Sequence, residues 1–142
     1  PADKTPSGYG DLRVRSVSMN GYVGPTTGGS ISAGYLNGSN EKYRKTTSFN
    51  KLKAVDAIVF LDERADSIND GWYRAPQSAA SVVDTPAIFH GNSSSLSYAD
   101  GHAALHKWND TRFINWQYSN GAFSPPGGSA DLAWLFSHCT SN

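Results

Sequence analysis

The most regular alternation of apolar and polar residues lies between Ser94 and Lys107, where Asp100-Gly101 interrupts two short runs of opposite direction. Taking Asp100-Gly101 as a two-residue turn pairs Ala99 with His102, Tyr98 with Ala103, Ser97 with Ala104, Leu96 with Leu105 and Ser95 with His106. That register puts Leu96, Tyr98, Ala103 and Leu105 on one side and Ser95, Ser97, His102 and His106 on the other, because successive strand residues face opposite ways. The pattern predicts a β-hairpin with both histidines toward solvent.

Residues 13–18 alternate as a half-buried strand does, and Asn20-Gly21 breaks the run. The glycine-rich stretch 22–40 has no sustained period and reads as an excursion loop with short strand pieces. Residues 57–61 are continuously apolar and then turn abruptly charged, which predicts a central strand buried on both faces. The acidic, turn-prone residues 62–71 lead into Trp72-Tyr73, and residues 86–89 read as another strand entry. Near the C-terminus, Pro125-Pro126-Gly127-Gly128 insulates a short helix. Ser129 is placed to cap it, Asp131 sits favourably against the helix dipole, and Leu132, Leu135 and Phe136 form the stripe that docks on the sheet.

Composition narrows the class of protein. A chain of 142 residues is one domain, spanning 1–142, with enough length to bury a core. Twelve Lys plus Arg balance twelve Asp plus Glu, so no net field draws it to nucleic acid or anionic lipid. Fourteen Gly and seven Pro describe a turn-rich β surface that folds. No apolar stretch approaches the roughly 18 residues of a membrane span, and Pro1-Ala2-Asp3-Lys4 is neither a signal peptide nor a methionine start. The chain is therefore expected to be a soluble portion of a longer protein. The single Cys139 excludes an internal disulfide and any multi-thiolate metal site, and reads as a half-buried thiol.

Candidate chemistry is limited to four histidines and the carboxylates. His90, Asp100 and His102 are the residue types of a catalytic or zinc site, but no His-Glu-x-x-His spacing joins them. The strand between His90 and Asp100 also separates them. The favoured reading is structural, with Asp100 a turn residue beside Gly101 and His90 a hydrogen-bonding residue at a strand end. Asp62, Glu63, Asp66, Asn69 and Asp70 supply the hard oxygens that calcium takes, without the full alternating calcium-loop pattern. No nucleophile elbow and no phosphate-binding glycine loop is present, which disfavours serine hydrolysis and nucleotide binding. Trp72, Tyr73, Trp108, Trp116 and Tyr118 are candidates for a sugar-stacking platform, with Trp72 and Trp116 the two marked as ligand-facing, although large aromatics are more often core.

Several segments in the same order resemble the prepilin-type proteins of Planctomycetes and Verrucomicrobia, which carry a signature of His, nine residues, then Asp-Gly. Here the signature is His90 followed by Asp100-Gly101 and His102. Residues 13–21, the strand end at 59–63, residues 66–71 and the closing Asp131 to Leu135 also look like that family, so the resemblance spans nearly the whole chain.

The resemblance implies an α+β, pilin-like head: an antiparallel sheet with a short C-terminal helix, packed against a pilin helix that would precede this chain. It implies a non-catalytic structural subunit of a bacterial filament or type II secretion-like pseudopilus, in the cell envelope or outside it. Its partners would be other copies or other pilin-like subunits, and its only link to a membrane would be that missing helix. Some related pseudopilins hold calcium in a head loop, which raises the interest of residues 62–70. A cysteine usually precedes the opening Pro-Ala-Asp in this family and would offer Cys139 a partner. The alternatives are a surface polysaccharide-binding module and, behind it, a metal-dependent hydrolase.

Overall fold

A computed structural model describes residues 16–24, 40–69, 71–117 and 122–141. Five strands make one sheet: β1 (Val17–Asn20), β2 (Ile58–Asp62), β3 (Trp72–Tyr73), β4 (Ser93–Tyr98) and β5 (Ala103–Lys107). Their order is β3-β1-β2-β4-β5. A single turn of helix, α1 (Thr111–Ile114), follows β5, and α2 (Ala130–Cys139) closes the fold. The α+β class is as the sequence implies, but the sheet is mixed, because the two-residue β3 runs parallel to β1 while every other pairing is antiparallel. Residues 86–89 make only an isolated bridge, Glu63 to Pro86, in place of the expected strand.

β2 is the central strand, yet it is buried on one face only. A register shift between Ile58 and Phe60 places an extra residue opposite β4. Such a bulge breaks strict alternation. Ile58 and Leu61 therefore both point into the core, at 0% and 1% exposure, while Phe60 between them is 43% exposed. The continuous apolar run of 57–61 gave no sign of this, since hydrophobicity alone does not report a local insertion.

The hairpin forms one residue out of the expected register. Leu96 pairs with Ala104, Ser95 with Leu105 and Ser94 with His106. The connection is a three-residue loop, Ala99-Asp100-Gly101: the Gly101 N–H donates to the Tyr98 carbonyl at 3.0 Å, and the Tyr98 N–H to the His102 carbonyl at 2.9 Å. Gly101 has φ +95°. This is the type I turn followed by a left-handed glycine that commonly closes three-residue hairpins. A slip of one residue inverts a strand's faces. His102 and His106 accordingly lie on the same side as Leu96 and Tyr98, and Leu105 turns outward at 64% exposure.

The core sits on one side of the sheet. Leu61 and Leu96 meet Leu132, Leu135 and Cys139 of α2, with Trp108, Phe113 and Phe123 closing one end. The helix stripe is as expected at Leu132 and Leu135, both fully buried, whereas Phe136 is half-buried and Cys139 fully buried. Ser129 precedes α2 in extended conformation but makes no side-chain cap bond. Asp131 instead accepts the Asn109 and Asp110 N–H groups, at 2.7 and 2.8 Å, and so ties the start of α2 to the entry of α1. Asn20, fully buried, joins three segments: its amide donates to the Ile58 and Cys139 carbonyls at 2.8 and 2.9 Å, and its carbonyl accepts from the Tyr22 N–H.

Candidate functional site

His90 and Asp100 flank opposite ends of β4, whose six residues span about 17 Å at strand rise, so the signature pair makes no joint site. Each has a local task. The His90 N–H lies 3.4 Å from the Ser93 carbonyl at the tight entry to β4, where Gly91 and Asn92 both have positive φ. Asp100 accepts the His102 N–H at 3.1 Å and contacts His102 Nδ1 at 2.6 Å. Those bonds hold the Asp100 carboxyl below its usual range, the His102 backbone bond first among the causes. His102 in turn stacks on Tyr98, ring centroids 4.2 Å apart. The hairpin tip is thus braced by its own side chains.

The acidic residues after β2 point in different directions. Asp62 accepts from the Ser95 N–H at 3.3 Å. Glu63 is turned into the protein, 1% exposed, where it accepts from Ser18 and, at 3.0 Å, from Ser67. Asp66 forms a two-point pair with Arg64, at 3.0 and 2.7 Å. Asn69 is exposed, and Asp70 lies outside the described residues. Among the described residues, no three acidic, histidine or cysteine side chains converge where a metal ion would sit.

The marked aromatics do not stand clear of the surface as a paired platform: both are half-buried and lie on different segments. Trp72 is half-buried on β3, and Trp116 packs edge-on against Phe123 at 5.4 Å. Tyr73 and Trp108 are core residues, and Tyr118 lies outside the described residues. The Trp108 indole donates to Ser94 Oγ at 2.8 Å, and Ser94 itself donates to the Ala87 carbonyl. A pocket of ≈ 150 Å³ beside residues 74–83 has Arg74 as its one charged side chain among the described lining residues, with no carboxylate, imidazole or thiol. Cys139 is fully rather than half buried, and burial pushes its thiol far above the ordinary range, which leaves it a poor nucleophile.

Two features escaped the sequence reading. One is a triple stack in which the Trp134 indole lies between His106, at 3.5 Å, and His138, at 3.9 Å. The spacing of Trp134 and His138, four apart on α2, was legible; the arrival of His106 depended on the hairpin register.

The other is the sheet face opposite α2. One row across it runs Trp72, Met19, Phe60, Ser97 and Ala103, and the next runs Val17, Asp62, Ser95 and Leu105. Val17, Phe60 and Leu105 are 45%, 43% and 64% exposed there. Three large apolar residues thus stand exposed on one sheet face, interspersed with Asp62, Ser95 and Ser97.

No family model, no curated protein and no solved structure matches the chain. No described helix is long and apolar enough to cross a membrane.

Proposed function

We propose that this chain is the non-catalytic head of a pilin-like subunit of a bacterial envelope filament or type II secretion-like pseudopilus. The observation that carries the reading is the one-sided sheet. α2 and the core occupy one face, and Phe60 and Leu105 stand exposed on the other with mostly apolar or small neighbours. An apolar helix lying along that face would bury both residues, as a pilin helix packed against its head would. The family resemblance of the His90 to Gly101 signature points the same way. The signature's work is then to shape the two ends of β4, an interior strand of this face, and not to catalyse.

The test is made on cells that produce the natural protein. Antibody raised against this chain should label the fraction sheared from the cell surface, and Phe60→Asp should remove the protein from that fraction while leaving the isolated head's melting curve unchanged. Recovery solely as free protein in the cell interior would overturn the proposal.

A further inference from the structure

β5 forms one edge of the sheet, and the other edge is the two-residue β3. In an antiparallel pair, alternate residues turn their backbone groups toward the neighbouring strand. Ala104 and His106 face β4 in this way, within a ladder bracketed by the His102 carbonyl bonded to Tyr98 and the Trp108 N–H bonded to Asn92 at 2.8 Å. The N–H and C=O groups of Ala103 and Leu105 and the N–H of Lys107 therefore project from the outer edge, while the Lys107 carbonyl accepts from the exposed Asn109 side chain at 3.3 Å, a bond that a pairing strand would replace. Proteins usually blunt such an edge with proline, a bulge or charge. Here Ala103, Ala104 and Leu105 carry none of these, and Lys107 alone charges one end.

We infer that this edge pairs with β5 of a second copy, antiparallel about a two-fold axis at Leu105. The inference does not rest on the pilin reading, because the pairing is made by the strand's backbone, although the Leu105 side chain lies on the sheet face which that reading uses. A two-fold interface must be complementary to itself. With Leu105 opposite Leu105, each Lys107 lies opposite Ala103 of the other copy, at the end of the strand nearer its hairpin tip, where the exposed Asp100 carboxylate is braced by His102. No like charges face each other, the alanines admit close approach, and the chain's formal net charge of zero adds no repulsion between copies.

Paired residues in such a ladder have Cα atoms about 5.5 Å apart, which suits a disulfide. Leu105→Cys should therefore cross-link to itself under mild oxidation. Ala103→Cys should trap at least tenfold less, because its own copy is offset by about 13 Å along the strand. Sedimentation should show a dimer that Leu105→Lys converts to monomer. The native Cys139 is fully buried and contributes no background. Leu105 is exposed, so these variants keep the fold, which circular dichroism verifies. A monomer at all concentrations, equal trapping at both positions, or an association abolished by Phe60→Asp but retained by Leu105→Lys would each overturn the inference.

Discussion

The His106 imidazole lies nearly parallel to the Trp134 indole, ring centroids 3.5 Å apart and planes 13° from parallel, and so fastens the sheet's edge strand to the terminal helix. His138 stacks on the same indole at 3.9 Å, and Trp108 meets His106 edge-on at 4.5 Å. Burial lowers the pKa of His106, His138 lowers it further and Asp131 opposes both. An imidazole with a depressed folded-state pKa resists protonation that the unfolded chain accepts near its ordinary 6.5. Stability from this site is therefore complete above that value and declines as pH falls below it. The melting midpoint should drop between pH 7.5 and pH 5.5, and His106→Phe, which keeps the stack without the titration, should flatten the profile in that window.

Asp110 should govern a separate, more acidic loss. Its carboxyl is held well below the usual range, first by the Arg112 side chain, and it also accepts the Arg112 N–H at 3.0 Å as the cap of α1. That contribution is present above the ordinary carboxylate pKa of 3.8 and disappears as pH falls further. Asp110→Asn should reduce the slope of stability with pH below about 4 and leave the His106 window untouched, which midpoints measured from pH 2 to 5 would check.

Buried Asn20 satisfies three backbone groups at once, so Asn20→Leu should destabilise by about 3 kcal/mol, taking about 1 kcal/mol for each bond lost. Ser94→Ala should cost about 2 kcal/mol, because it strands the Trp108 indole N–H and the Ala87 carbonyl. Urea titration of both variants tests the values.

The hairpin register makes opposite forecasts for two leucines that the simple alternation grouped together. Leu96→Ala should cost about 3 kcal/mol as a core truncation, whereas Leu105→Ala should shift stability by under about 0.5 kcal/mol. Gly101→Ala should cost about 1 kcal/mol, since its φ of +95° disfavours any side chain. Equal effects at Leu96 and Leu105 in thermal melts would restore the two-residue turn.

Asp62, Glu63 and Asp66 are each engaged with a different partner. Millimolar calcium should accordingly leave the melting midpoint where EDTA leaves it. A calcium-dependent rise would require these side chains to regroup, because a ligand that binds only the folded state must raise the midpoint.

Local chemistry was legible without coordinates. The alternation of 94–107, the Asp-Gly turn and the stripe of Leu132 and Leu135 each follow from a period or a residue's own backbone preference, and these made a hairpin and a terminal helix readable, while the α+β class came from the resemblance. What the pattern could not supply was the loop length at Asp100-Gly101, since two- and three-residue turns both accept a glycine with positive φ. That single residue decided which side of the hairpin is core, and with it the positions of Leu105 and His106. The bulge in β2 is a second choice of the same kind, made by packing against β4 and invisible in a run of apolar letters. The sequence by itself determined the hairpin of 94–107, the strand ending at Asp62 and the terminal helix, because those rest on local periods; the strand expected at 86–89 and the unforeseen α1 and β3 did not. Which face is buried, where Glu63 and Asn20 turn, and that Phe60 and Leu105 stand exposed were decided by tertiary pairing, where a shift of one residue reverses every side chain.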